Sequence, residues 1–173
     1  MADDARASAS KQLLLAAQTD NVELAESILD ADPPIAYDIN FTDGIGNTAL
    51  HYACENISAD VLDRLLNEEV DVDVQNTLAG DTPLHVACRV ANEEARNWLV
   101  SELLEAGAPT ETKNHAGLRA VDTIVGAKAD TELGKKLIDM LTVTRAEAQL
   151  GADDIAYDDD DIADDGPPSD VEA

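Results

Sequence analysis

The chain has 173 residues, enough for one domain or a short array of repeats with a tail. Hydrophobic residues make up 45% and aromatics 3%, so a core can form and must be aliphatic. The 37 acids and 11 bases give a formal charge of −26, which sets nucleic acid and anionic membranes aside as direct partners and favours a basic protein.

Residues 1–9 are small and polar and are expected to fray. A helix is predicted from Ser10 to Gln18, followed by the turn Thr19-Asp20-Asn21. A second helix, Val22 to Ala31, turns Leu24, Ile28 and Leu29 inward at helical spacing. Asp32-Pro33-Pro34 ends it, because two prolines cannot continue a helix. After a long connection, Asp43-Gly44 and Gly46-Asn47 supply turn residues. Thr48 then opens an inner helix as its cap. Ser58 is the expected cap of an outer helix over Ala59 to Asn67, with Val61, Leu62, Leu65 and Leu66 inward. Val70 to Val74 alternates and reads as an extended arm.

Gly80-Asp81-Thr82-Pro83-Leu84-His85-Val86-Ala87-Cys88 follows, the clearest motif in the chain. It shares Gly, Thr, Leu, His, Ala and Cys with Gly46-Asn47-Thr48-Ala49-Leu50-His51-Tyr52-Ala53-Cys54, and the two glycines are 34 residues apart. Asp81 to Val90 is the predicted inner helix with its turn, and Pro83 suits a first helical position. The outer helix, between Asn92 and Gly107, is longer by about one turn, which carries Arg96-Asn97-Trp98. Gly117-Leu118-Arg119-Ala120-Val121-Asp122 is a degraded copy, with Arg119 for Thr and Asp122 for His, and Ile124 and Val125 are expected to continue its helix. A last outer helix opens at Asp130 or Thr131 and points Leu133, Leu137, Ile138 and Leu141 inward. Thr144 to Glu147 fits a capping box for a short extra helix. Residues 146–173 hold eleven acids and no base, and are expected to stay disordered.

The T-P-L-H-x-A core at a period in the thirties is the signature of the ankyrin-repeat family, which this chain resembles over roughly residues 11–145. The resemblance implies an all-α solenoid of about four repeats, over 10–43, 44–77, 78–114 and 115–145, with β-hairpin fingers and atypical end repeats. It further implies structural roles for Thr48, His51, Thr82, Pro83, Leu84 and His85, each histidine bonding the backbone of the neighbouring repeat. It places the binding surface on the concave face: Ile45, Asn47, Glu55 and Asn56, then Leu78, Asp81, Arg89 and Val90, then His115 and Leu118. Trp98 is a further contact candidate, because tryptophan is enriched at binding hot spots.

The chemistry of the chain points to binding. Cys54 and Cys88 read as small buried residues, too far apart for a disulfide. No metal-ligand spacing, P-loop, dinucleotide fingerprint or nucleophile motif occurs, so no enzyme, cofactor or metal is expected. No apolar run reaches a membrane span and the start lacks a signal-peptide pattern, which suggests a cytoplasmic or nuclear chain. The acidic tail, with Ile155, Tyr157 and Ile162 beside Asp158, Asp159, Asp160 and Asp161, reads as a polyanion that meets a basic client. Ser169-Asp170-Val171-Glu172 resembles an acidophilic kinase site. The resemblance extends to small fungal ankyrin proteins with acidic tails, and implies a monomeric chaperone of a ribosomal or other nucleic-acid-binding protein. Alternatives are an inhibitor masking a transcription factor or kinase, or an assembly factor of a complex such as the proteasome.

Overall fold

The computed structural model describes residues 2–124 and 127–153. Eight α-helices occur among them: α1 (Ala2–Thr19), α2 (Val22–Leu29), α3 (Ala49–Asn56), α4 (Ala59–Leu66), α5 (Pro83–Arg89), α6 (Glu93–Glu105), α7 (Ala127–Asp130) and α8 (Glu132–Asp153), with a 3-10 turn at Val121–Thr123 before α7. Consecutive helices pair as α1 with α2, α3 with α4, α5 with α6 and α7 with α8. The inner row stacks α1 on α3, α3 on α5 and α5 on the 3-10 turn, while α2 meets α4 and α6 meets α8 on the outer side. No described helix is long and apolar enough to cross a membrane.

The stacking follows from residue size. Leu13, Leu50 and Leu84 occupy one position in successive inner helices and are at most 1% exposed. Ala16, Ala53 and Ala87 lie three residues on, fully buried, where a larger side chain would hold the helices apart. The outer helices contribute Val61, Leu62 and Leu65, then Leu99, Val100 and Leu103, then Leu137 and Leu141. Burying each such Leu or Val stabilises the fold by roughly 1.5–3 kcal/mol. Cys54 and Cys88 belong to this core as free thiols. Burial pushes both thiols far up, Cys88 to about 12, so neither is a thiolate at neutral pH.

The ends depart from the sequence expectations. The first helix reaches back to Ala2, over residues expected to fray. The long connection after α2 supports it: the Ser10 hydroxyl donates to the Arg6 carbonyl at 2.9 Å and accepts the Asp38 N–H at 2.8 Å. At the other end α8 runs without a break to Asp153, past the expected boundary at 145. Ala, Glu, Gln and Leu between 146 and 150 are strong helix formers with no glycine among them. The fourth inner helix is instead reduced to the 3-10 turn and the one-turn α7. The β-branched run Thr123-Ile124-Val125 before Gly126 is a poor helix former. Val125 and residues 154–173, with Ile155, Tyr157, Asp158, Asp159, Asp160, Asp161, Ile162 and Ser169, lie outside the described residues.

Local differences have local causes. Ser58 does not cap α4; its hydroxyl donates to the Ala17 carbonyl at 2.6 Å and ties two repeats together. Asn21 and Asn92 do cap, accepting from the N–H groups of Leu24 and Ala95, both at 2.9 Å. The fingers expected as hairpins are built from turns, and among the described residues a single antiparallel bridge, Lys113 to Arg119, is present.

Arg96, on the added turn of α6, is fully buried. Its Nη1 donates to the Val90 carbonyl at 3.4 Å and its Nη2 lies 3.9 Å from Glu93, while Nε and Nη2 have no hydrogen-bond partner. An under-satisfied buried guanidinium costs more than an apolar side chain of similar length. Arg96→Met is therefore expected to stabilise the array by about 1–3 kcal/mol, read as a higher urea midpoint at unchanged slope. A lower midpoint would show that Arg96 holds the C-terminal repeats together.

Candidate partner-binding groove

Each Thr-x-x-His segment makes one local and one distant contact. The Thr48 N–H donates to His51 Nδ1 at 3.1 Å, and the Thr48 hydroxyl lies 2.9 Å from the same nitrogen. His51 Nε2 lies 2.9 Å from the Asp81 carbonyl oxygen in the next repeat. A carbonyl only accepts, so the proton sits on Nε2 and Nδ1 is left to accept. Thr82 and His85 repeat the arrangement, with His85 Nε2 donating to the Leu118 carbonyl at 3.0 Å. The motif is thus a capping box with histidine in place of Glu or Gln, and the far nitrogen sets where the next finger lies.

The fingers share a second device that the sequence reading missed. Each turns on an Asx side chain. Asp43 Oδ1 accepts the N–H groups of Ile45 and Asn47 at 2.9 and 3.0 Å. Asn76 Oδ1 accepts those of Ala79 and Asp81 at 3.0 and 3.2 Å, and Asn114 Oδ1 those of Ala116 and Leu118 at 3.0 and 3.1 Å. Successive fingers join through backbone: the Thr77 N–H donates to the Ile45 carbonyl at 2.9 Å, and the His115 N–H to that of Ala79 at 2.8 Å. A Cβ on Gly46 would stand 2.5 Å from Thr77 N, and one on Gly80 2.5 Å from the His115 ring. Both glycines also have φ near +80° and +70°, so only glycine fits there.

The middle finger is one residue longer than the others, counted from its Asx to the position of the capping threonine (76 to 82, against 43 to 48 and 114 to 119). The extra residue displaces Leu78 outward, where it is 73% exposed. Leu78 and Ile45 overhang a groove of about 760 Å³ between the fingers and helices α3 and α5. Glu55, Arg89 and Val90 line it as read from the sequence; Tyr52, Val86, Asn76, Ala79 and Ala91 also line it and were not foreseen. Tyr52 and Val86 each follow the motif histidine, so helical phase alone puts that position on the groove side.

Several candidates have different roles. Asp81 and Asn47 border the groove but are 2% and 8% exposed, with their polar atoms engaged. Asp81 accepts from Arg89 Nη2 and from Asn114 Nδ2, and Asn47 Oδ1 accepts from Asn76 Nδ2 at 3.0 Å. Burial pushes the Asp81 carboxyl up, but Asn114 and Arg89 outweigh it and hold it below the usual carboxylate range. Both residues brace adjacent fingers. Asn56 is exposed beside the groove, its amide donating to the Tyr52 carbonyl at 3.0 Å. His115 and Leu118 sit on the third finger, outside the groove lining. Trp98, on the added turn of α6, is half-buried against the core and outside the groove lining. Among the described residues no group of acids, histidines and cysteines is placed to hold a metal.

Comparison with known proteins agrees with this geometry. Residues 13–114 match the family model described as ankyrin repeats (3 copies). The chain is 38% identical to the ankyrin repeat-containing protein YGL242C of Saccharomyces cerevisiae, over 93% of this chain and 92% of that protein. It is also 33% identical to the NF-kappa-B inhibitor cactus of Drosophila melanogaster and of Drosophila yakuba, over 43% of this chain and 15% of each inhibitor.

Burial lowers the pKa of His51 below its ordinary 6.5, outweighing the nearby carbonyl and carboxylates of Asp81 and Asp43. Its contribution to stability is therefore complete above about pH 6.5 and is lost as pH falls through the folded-state value, because the unfolded chain binds the proton more readily. Compared with the parent, His51→Ala should lose about 2 kcal/mol at pH 7.5 by urea unfolding. That gap should narrow at pH 5.5; an equal gap at both values would sink the assignment of a neutral, accepting Nδ1.

Proposed function

Because the chain belongs to the ankyrin-repeat family, we propose that it works as a protein–protein interaction module and escorts a basic, nucleic-acid-binding client such as a ribosomal protein. The observation that carries this reading is the pairing of an open, apolar-rimmed groove with a chain of charge −26. Ile45 and Leu78 supply apolar anchors on two fingers, and Glu55 adds an acid to the groove lining. Residues 154–173 add nine acids and no base. The groove grips one element of the client, and the tail covers the lysines and arginines that otherwise bind RNA. Encounter is accelerated by opposite charge and slowed by salt. The client's location makes the escort cytoplasmic or nuclear.

A second reading, an inhibitor that masks a transcription factor, is favoured by the similarity to cactus, whose name describes it as an NF-kappa-B inhibitor. Affinity purification with the full chain as bait, at low salt, separates the two. Basic ribosomal or other RNA-binding proteins as the dominant, direct and salt-sensitive partners support the escort. A transcription factor retained at high salt supports the inhibitor.

With the client in hand, deleting residues 154–173 should weaken binding at least about tenfold at low salt and flatten its salt dependence. Leu78→Asp should weaken it by about 1–3 kcal/mol in a titration while leaving the unfolding midpoint unchanged, since the side chain stands in solvent. Unchanged affinity in both variants would remove the groove and the tail from the binding surface.

A further inference from the structure

The charge of the chain is segregated along its length. Residues 1–112 carry 22 acids and five bases, a net −17. Residues 113–145 carry six bases and four acids, a net +2, and residues 146–173 carry −11. The last repeat, with Lys113 just before it, is thus a weakly basic segment between two strongly acidic ones. It also holds a second apolar groove, of about 540 Å³, between α6 and α8. Lys136, Met140 and Val143 share one face of α8 at helical spacing and line it, opposite Leu104 and Ser101 of α6. Val143 is 55% exposed there.

We propose that this groove is a docking site for the chain's own acidic tail, with Ile162 as its apolar occupant. The reach of the chain sets the register. Helix α8 ends at Asp153, and each helical residue spans about 1.5 Å, whereas an extended residue spans about 3.3 Å. If residues 154–157 reverse the direction, five extended residues cover the length of about eleven helical ones. Ile162 then lies level with Met140 and Val143. Asp164 and Asp165 reach the level of Lys135 and Lys136, and Asp161 that of Arg145. Asp139, an acid of the groove itself, falls level with the uncharged pair Ile162-Ala163. A second acid, Glu105, stands on the α6 side. Three features therefore agree: the pair Lys135-Lys136 level with the acids Asp164-Asp165, an apolar residue for an apolar groove, and a chain length that brings them together. Docking holds the polyanion against its own last repeat until a more basic surface displaces it.

This proposal stands apart from the identity of the client, and its test uses the isolated full chain. Cys54 and Cys88 are buried, so a nitroxide attached to Ser169→Cys marks the tail alone. At low salt the amide signals of Ser101, Leu104 and Met140 are expected to fall below half their intensity in the reduced sample. They should recover at about 0.5 M salt, where the screening length is only a few ångströms. They should also recover in Ile162→Asp and in Lys136→Glu, the latter at an exposed side chain. Full intensity at low salt overturns the proposal. So does broadening that survives Ile162→Asp, which would mean a tail near α8 only by tethering. Broadening that is confined to a mixture of labelled and isotope-enriched copies assigns the groove to a second molecule, and also overturns it.

Discussion

At two of the junctions between repeats, a buried hydrogen bond from an imidazole Nε2–H to a backbone carbonyl fixes how one repeat sits on the next. His51 reaches the Asp81 carbonyl and His85 that of Leu118. Because the other ring nitrogen of each accepts from the helix cap, the imidazole is held in one tautomer and one direction. Cap, finger position and stacking distance are therefore coupled. The end repeats show the same logic by its absence. At the N-terminal repeat Leu14, buried to 7% exposure, stands where the histidine would be. In the last repeat Asp122 accepts the Arg119 N–H at 3.0 Å and two bonds from its guanidinium, and this hydrogen bonding lowers its pKa to about 2. The carboxylate keeps the local cap without a bond to a neighbouring repeat.

The groove is a by-product of this stacking, and its character comes from small departures between repeats. One added residue in the middle finger turns a leucine into solvent, while Asp81 and Asn47 at the finger bases are consumed in bracing neighbours. The finger tips and the helix position after each motif histidine are left to meet a partner. Their side chains are mainly apolar, so in the proposed complex the groove would supply contact area and the surrounding acids long-range attraction.

Charge is the second organising feature. Acids dominate the first three repeats and the tail, whereas the last repeat is slightly basic. Self-repulsion in an evenly acidic chain pushes its segments apart, and the proposed docking of the tail depends on the lysines of α8 breaking that evenness. If both proposals hold, the tail has two alternative surfaces, its own last repeat and a basic client.

How much of this was legible beforehand depends on range. The repeat period, the inner and outer helices and the buried Leu-Ala-Cys ladder were readable because each is a pattern within a few turns of chain. Apart from the bonds of the motif histidines, the burial of individual polar side chains and the contacts between segments distant in the sequence were not. The burial of Asp81, Asn47 and Arg96, the diversion of the Ser58 hydroxyl to Ala17 and the packing of α1 under Asp38 are examples. So is the place of Trp98 outside the groove lining. A polar residue in a finger has the same sequence signature whether it faces a partner or the next repeat. The sequence by itself determined that repeats stack and which residues tie them, because those residues act on their own helix first. Only the tertiary structure decided which side chains remain free to bind, because freedom is what stacking leaves over once every buried donor and acceptor has found its partner.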